Sequence, residues 1–216
     1  MHLSCPPSSA SPCARALRFF PPWLLVSAPL LVMLAVLALC FGGQEAALIP
    51  FFKAHREAHP LLAQGFGLLT DLFNPIFYGV FLWLLIKAWR EKRPGLKRFV
   101  LAWIVMQLLV ALLTVRLTKM IIGRPRPEAD GLFQPMTPHG SHHSLPSGHT
   151  TEAATTCMAF ALRLGRAWPA VIFGCLLALL GFSRIYLGWH HPSDVFFGWA
   201  LGGVAGFGVH LFSVKD

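Results

Sequence analysis

Lys119-Met-Ile-Ile-Gly-Arg-Pro-Arg126-Pro127, Pro146-Ser147-Gly148-His149 and Ser183-Arg184-Ile-Tyr-Leu-Gly-Trp-His190-His-Pro-Ser-Asp194 are three short polar blocks, each at the end of an apolar segment. Around them the chain is strongly apolar. Of its 216 residues, 55% are hydrophobic and 12% charged, whereas a soluble domain carries about a quarter charged residues. This composition predicts an all-α integral membrane protein, its length consumed by spanning helices of about 20 residues each. One membrane domain over residues 23–216 follows, with the block-bearing core at 99–214.

Outward from the blocks, the apolar runs divide the chain into six transmembrane helices. Residues 1–22, rich in Ser and Pro with Arg15 and Arg18, read as a disordered cytoplasmic tail. The first span runs from about 23 to 41. It is not a signal peptide, because the apolar run is too long and Leu39 stands before Cys40 where processing needs a small residue. Residues 42–70, with Pro50, Lys53, His55, Arg56, His59 and Pro60, read as an interfacial connector. The second span covers 72–89, with a kink or a helix N-terminus expected at Asn74-Pro75, and the third covers 99–118.

A polar connector over 122–145 precedes the fourth helix, which starts at Pro146 or Ser147 and ends near Leu162. This helix carries Thr150, Thr151, Glu152, Thr155 and Thr156, so its place is among protein rather than lipid. The fifth and sixth spans cover 168–187 and 192–214. Cys5, Cys13, Cys40, Cys157 and Cys175 follow no metal or disulfide spacing and read as packing residues.

The net charge of +9 raises the question of nucleic acid, but the basic residues flank apolar runs, where orientation and lipid headgroups account for them. Lys87, Arg90, Lys92, Arg93, Lys97 and Arg98 crowd a single loop. With that loop in the cytoplasm, eleven Lys and Arg lie inside and only Lys53 and Arg56 outside, apart from those in or beside the blocks. Both termini are therefore expected inside and all three blocks outside.

The blocks suit an anion. Lys119, Arg126 and Arg184 are cations at helix ends, and a phosphate matches the point charge of Lys and the planar fork of Arg. Each could instead be an interfacial anchor. Ser147 reads as the N-cap of the fourth helix, and Gly148 allows backbone N–H groups to approach an anion at that terminus. His149 beside them has the chemistry of a general acid. Asp194 lies four residues after His190 and three after His191. It could orient either imidazole for attack, or simply cap the helix that Pro192 begins.

Together the blocks resemble the type-2 phosphatidic acid phosphatase superfamily, which also holds the vanadium haloperoxidases. That pattern is Lys, six residues, Arg-Pro; Pro-Ser-Gly-His; and Ser-Arg, five residues, His, three residues, Asp. Every specified position is present here, and the match selects Arg126 over Arg124 and His190 over His191. The resemblance implies that His190 is the nucleophile forming a phosphohistidine, Asp194 orients it and His149 protonates the departing oxygen. It further implies that Lys119, Arg126, Ser147, Gly148 and Arg184 bind phosphoryl oxygens, with no metal or other cofactor required.

The expected function is a membrane lipid phosphate or pyrophosphate phosphatase of a bacterial-type inner membrane, with its site on the periplasmic side. Candidate substrates are undecaprenyl pyrophosphate, phosphatidylglycerophosphate, phosphatidic acid and the 1-phosphate of lipid A. The expected partner is the lipid alone, with no nucleic acid and no obligate protein. The alternatives are a lipid phosphotransferase using the same phosphohistidine and a non-enzymatic lipid-anion transporter. A haloperoxidase is disfavoured by the membrane embedding. A metal site built from His139, His142, His143, His149, His190 and His191 is disfavoured by spacings that fit no zinc pattern.

Overall fold

A computed structural model describes residues 12–129 and 131–213. Among these the chain forms seven helices and no strand. They are α1 (Pro12–Cys40), α2 (Glu45–Ala58), α3 (Pro60–Arg90), α4 (Pro94–Ile122), α5 (Gly148–Leu164), α6 (Ala167–Tyr186) and α7 (Pro192–Ser213).

Five of these helices contain stretches long and apolar enough to cross a membrane: Pro21–Cys40, Pro60–Arg90, Pro94–Ile122, Ala167–Tyr186 and Pro192–Ser213. Of the six spans expected from the sequence, five meet the length and composition of a membrane crossing, and the sixth, α5, is only 17 residues long and rich in threonine. Residues 1–11 of the expected tail lie outside the described residues. So do Asp130 and residues 214–216.

Several boundaries differ from the sequence reading. Residues 12–22 of the expected disordered tail are helical, since α1 starts at Pro12, and α4 starts at Pro94 rather than residue 99. Residues 45–58 of the expected connector form α2, whose Leu48 and Phe52 are buried. Phe52 meets Phe182 and Tyr186 edge-on at centroid distances of 5.8 and 5.6 Å. After it, α3 begins at Pro60 rather than residue 72, with proline in the first turn, where its missing N–H leaves no bond unmade. Scattered polar residues such as Gln64 and Asp71 had hidden this start in the hydropathy pattern. Among the cysteines read as packing residues, Cys157 is buried but Cys40 and Cys175 are exposed on the outside of the bundle.

The polar α5 sits at the centre and touches α1, α3, α4, α6 and α7. Ala153, Ala154, Thr155, Thr156, Cys157, Met158 and Ala159 on it are all buried. Its tightest neighbour is α7, which turns Gly198, Gly202 and Gly206 toward it. A Cβ on Gly202 would stand 2.4 Å from Ala154 Cβ and 2.6 Å from the Thr151 carbonyl oxygen. Small residues at this spacing let two backbones approach within a membrane, where tight packing rather than hydrophobicity holds helices together.

A second cluster closes the other side. Phe81 of α3 stacks on Trp103 of α4 at 3.7 Å, and Trp103 Nε1 donates to Thr156 Oγ1 on α5 at 3.1 Å. Residues Gln107–Thr114 of α4 are π-helical, and Gln107 Nε2 donates to the Glu152 carbonyl oxygen and to Thr156 Oγ1, each at 3.2 Å.

At its end, α4 stops at Gly123, whose φ of +60° is left-handed and whose Cβ would lie 1.9 Å from the Gln134 carbonyl oxygen. The following loop then folds back across the bundle. Gln134 N donates to Gly123 O, Met136 N to Met120 O and Ser144 N to Arg124 O.

Gly202→Ala should lower the thermal unfolding midpoint in detergent by an amount equivalent to about 1–3 kcal/mol of overpacking. Gly79→Ala on α3, where a Cβ meets nothing within 4 Å, should leave it unchanged or raise it. Equal midpoints for the two variants would show that the α5–α7 approach is not close.

Candidate active site

The three sequence blocks meet at one end of the bundle. The turn between α6 and α7 presents His190, with the Arg184 carbonyl oxygen accepting from both Trp189 N and His190 N at 3.1 Å. Pro192 then starts α7 and sets Asp194 in its first turn. Asp194 has no accessible surface and His190 only 1%. His190 Nδ1 faces Asp194 Oδ2 at 3.5 Å. That is longer than a hydrogen bond, and catalytic contacts in unliganded sites are often this loose.

Four groups hold the Asp194 carboxylate. Arg124 Nη1 meets Oδ1 at 2.8 Å, His191 N donates to Oδ2 at 2.8 Å, Ser144 Oγ also donates to Oδ2, and His190 lies beyond. Arg124, which the motif match passes over, is therefore the arginine in contact with the dyad. His191 has a separate tether, with Nε2 3.3 Å from the Pro125 carbonyl oxygen. The geometry thus places His190, rather than His191, with its ring against the carboxylate.

Ser147 takes the backbone conformation of an N-cap ahead of α5, but its side chain does not cap the helix. Its Oγ instead accepts from Thr150 Oγ1 at 2.9 Å, while its N–H donates to the Asp194 carbonyl oxygen at 2.9 Å. That backbone bond ties the Pro-Ser-Gly-His block to the block of Asp194. Gly148 opens α5, and His149 lies within electrostatic range of Arg184, Lys119 and Arg126. Lys119, one turn before the end of α4, senses Arg126, Arg184, Asp194 and Glu152.

Arg184 is 4% exposed. Its guanidinium lies 4.3 Å over the Trp189 ring, and Nη1 donates to Thr70 Oγ1 at 3.1 Å. Three buried polar atoms in this region, Arg126 Nε, Arg184 Nε and His190 Nδ1, have no hydrogen-bond partner in the protein. Burial also pushes the Arg126 guanidinium below its usual pKa. Uncompensated cationic donors at such depth are costly unless an anion meets them.

The sequence reading missed the contribution of α3. Asn74 Nδ2 donates to Glu152 Oε2 at 2.8 Å and Tyr78 Oη to the same oxygen at 2.7 Å. Glu152 follows His149 by three residues, hence on the same face of α5, and that spacing was the available signal. Two histidines of the polar connector have partners within the connector itself: His143 Nε2 is 3.0 Å from the Thr137 carbonyl oxygen, and buried His142 has Nδ1 3.2 Å from Ser141 Oγ. No group of three His, Cys, Asp or Glu side chains suited to a metal ion is found among the described residues. A small cavity of about 10 Å³, lined by Glu45, Leu48, Phe52 and Arg56 of α2 and by Ile185, adjoins His190.

Residues 100–216, which contain every block, match the PAP2 superfamily. The chain belongs to the PAP2 superfamily. Among curated relatives, the undecaprenyl-diphosphatase BcrC of Bacillus subtilis is 37% identical over 98 residues, covering 45% of this chain and 49% of that one. A lipid A 1-phosphatase of Rhizobium etli is 35% identical over 152 residues, covering 66% of this chain and 65% of the relative. The chain therefore spans about half to two thirds of the length of these relatives. The crystal structure of a transmembrane PAP2-type phosphatidylglycerolphosphate phosphatase from Bacillus subtilis superposes over 94% of this chain and 96% of its own, with a TM-score of 0.57 and 22% identity. That likeness shows a shared PAP2 transmembrane fold. With five apolar spanning helices, this PAP2 chain is a multi-pass membrane protein.

Burial lowers the pKa of His190 from 6.5 to about 3, against the opposing pull of Asp194. Between these values the unfolded chain binds a proton that the folded chain refuses, so the stability tied to neutral His190 is intact above pH 6.5 and lost as pH falls. His190→Gln removes that titration. As the pH is lowered from 6.5, the detergent unfolding midpoint of the wild type should fall faster than that of the variant. Parallel curves would mean that His190 takes up its proton in the folded state.

Proposed function

We propose that this PAP2 protein is a membrane lipid phosphatase that cleaves a lipid phosphomonoester or diphosphate through a phosphohistidine. The observation that carries this reading is the buried His190–Asp194 pair set among Lys119, Arg126 and Arg184, with donor atoms unmet by the protein. Neutral His190, its Nδ1 side turned to Asp194, offers Nε2 to phosphorus. The N–P bond forms as the bond from phosphorus to the leaving oxygen breaks, that of the lipid alcohol in a monoester or the bridging oxygen of the lipid phosphate in a diphosphate, and His149 gives that oxygen a proton. In the second step His149 takes a proton from water as the water oxygen attacks phosphorus, and the N–P bond breaks to release phosphate. Lys119, Arg126, Arg184, Ser147 and the Gly148 N–H stabilise the equatorial oxygens, where charge concentrates in the transition state.

The substrate class is read from the membrane setting and from the relatives. Leu48, Ile49 and Phe52 of α2 place apolar side chains, with Glu45 and Arg56 beside them, around a cavity of about 10 Å³ next to His190. The relatives' names span a polyprenyl diphosphate and a lipid A 1-phosphate, which share a phosphate on a lipid. Undecaprenyl pyrophosphate, phosphatidylglycerophosphate, phosphatidic acid and lipid A 1-phosphate are the substrates to compare. In this reading α5 crosses the membrane inside the ring of the five apolar helices, giving six crossings. Both termini then lie in the cytoplasm of a bacterial-type cell, and the site faces the periplasm.

Purified protein in detergent with EDTA should release phosphate from at least one of these four lipids. His190→Ala should abolish turnover while leaving the fold intact, and vanadate should inhibit as a five-coordinate phosphate mimic. Substantial turnover by His190→Ala removes His190 as nucleophile. Activity that EDTA abolishes, or that vanadate leaves untouched, contradicts the metal-free phosphohistidine route.

A further inference from the structure

The carboxylate that faces His190 is held by an arm of ions that begins on α2, outside all three blocks. Arg124 Nη1 donates to Asp194 Oδ1 at 2.8 Å and to Ser193 Oγ at 2.6 Å, while Arg124 Nη2 meets Glu45 Oε2 at 2.8 Å. Glu45 Oε1 accepts from Ser193 N at 2.6 Å, and Glu45 Oε2 accepts from Ser193 Oγ at 3.0 Å. The acid in the first turn of α2 therefore grips both the arginine and the first turn of α7, which carries Asp194. At the other end of α2, Arg56 bonds Glu128 and the Tyr186 carbonyl oxygen. The helix is thus fastened at both ends beside the small cavity that adjoins His190.

We propose that Glu45 and Arg124 are positioning residues for the reaction, with Glu45 fixing Arg124 and Arg124 fixing the Asp194 carboxylate that orients His190. This rests on the phosphohistidine reading above. Three features carry it. First, the His190–Asp194 approach is loose at 3.5 Å, so a small turn of the carboxylate decides whether the imidazole is held. Second, the planar guanidinium spans the two carboxylates, one nitrogen to each, a geometry that a lysine cannot reproduce. Third, Glu45 offsets the charge of Arg124. Without it, a bare cation beside Asp194 would compete with His190 for the carboxylate.

The other charged groups facing the dyad are Lys119 from α4, Arg184 from α6, and Arg126 in the loop after α4. All three are cations. Glu45 is thus the acid that balances the arm on the α2 side. The competing role for Glu45 is a favourable charge at the N-terminus of α2, which would affect stability without a selective effect on turnover.

The test compares Glu45→Gln, Glu45→Asp, Arg124→Gln and the Glu45→Gln/Arg124→Gln double variant, in the full chain in detergent. kcat and KM on the best lipid phosphate, vanadate inhibition and the thermal midpoint are measured for each. Glu45→Gln should lower kcat about tenfold while KM and vanadate inhibition stay within about twofold, because the phosphate ligands are untouched. Glu45→Asp should recover most of the loss. The double variant should be no slower than Arg124→Gln alone, as expected when two residues act in series.

Wild-type kcat in Glu45→Gln, losses that add in the double variant, or a joint fall of kcat, vanadate affinity and midpoint each overturn the arm. His190→Ala measured alongside separates the two ideas. An inactive His190→Ala with an unaffected Glu45→Gln rejects the arm alone, whereas an active His190→Ala rejects the nucleophile itself.

Discussion

A carboxylate without accessible surface must be compensated within the protein, and Asp194 is such a group. Its compensation comes from three directions. The turn before α7 supplies the His191 N–H, and the loop after α4 supplies both Arg124 and Ser144. α2 contributes at one remove through Glu45. That loop reaches Asp194 because α4 stops abruptly at left-handed Gly123, where a side chain would collide with the Gln134 backbone. One buried charge thus ties together the ends of α2, α4 and α7.

The central position of α5 follows from the opposite property, its lack of apolarity. A helix bearing Thr150, Thr151, Glu152, Thr155 and Thr156 is poorly matched to lipid, and the five apolar helices leave it an interior place. Gly198, Gly202 and Gly206 on α7 bring that neighbour close enough for the Ser147 N–H to reach the Asp194 carbonyl oxygen. The hydroxyls that disfavour lipid find partners inside: Thr156 accepts from Trp103 and Gln107, and Thr151 donates to the Ser147 carbonyl oxygen. Packing and polarity therefore act together to set His149 beside the cations.

Glu152 makes the same point at the site. Asn74 and Tyr78 of α3 bind its carboxylate, and Arg184 reaches Thr70 on the same helix. Asn74, read with Pro75 as a kink or a helix start, is a contact point between α3 and α5. The site is consequently braced from α2 and α3 as well, although the sequence blocks lie on α4 to α7 and the segments between them.

The sequence by itself determined the helical membrane class, the three blocks and the near-exact limits of α6 and α7, because hydropathy and motif spacing are local properties. It misjudged the start of α3, where polar residues interrupt the apolar run, and it read residues 12–22 as a disordered tail where α1 has already begun. It also expected the Ser147 side chain to cap α5, whereas the hydroxyl has a closer interior partner in Thr150. Only the tertiary structure decided that Arg124 rather than Arg126 contacts Asp194, that Glu45 from 149 positions away completes the arm, and that α3 supplies the partners of Glu152. Those pairings depend on how each helix is rotated about its axis and on how the loop after α4 folds back. Both are set by close packing between segments distant in sequence, which no local pattern encodes.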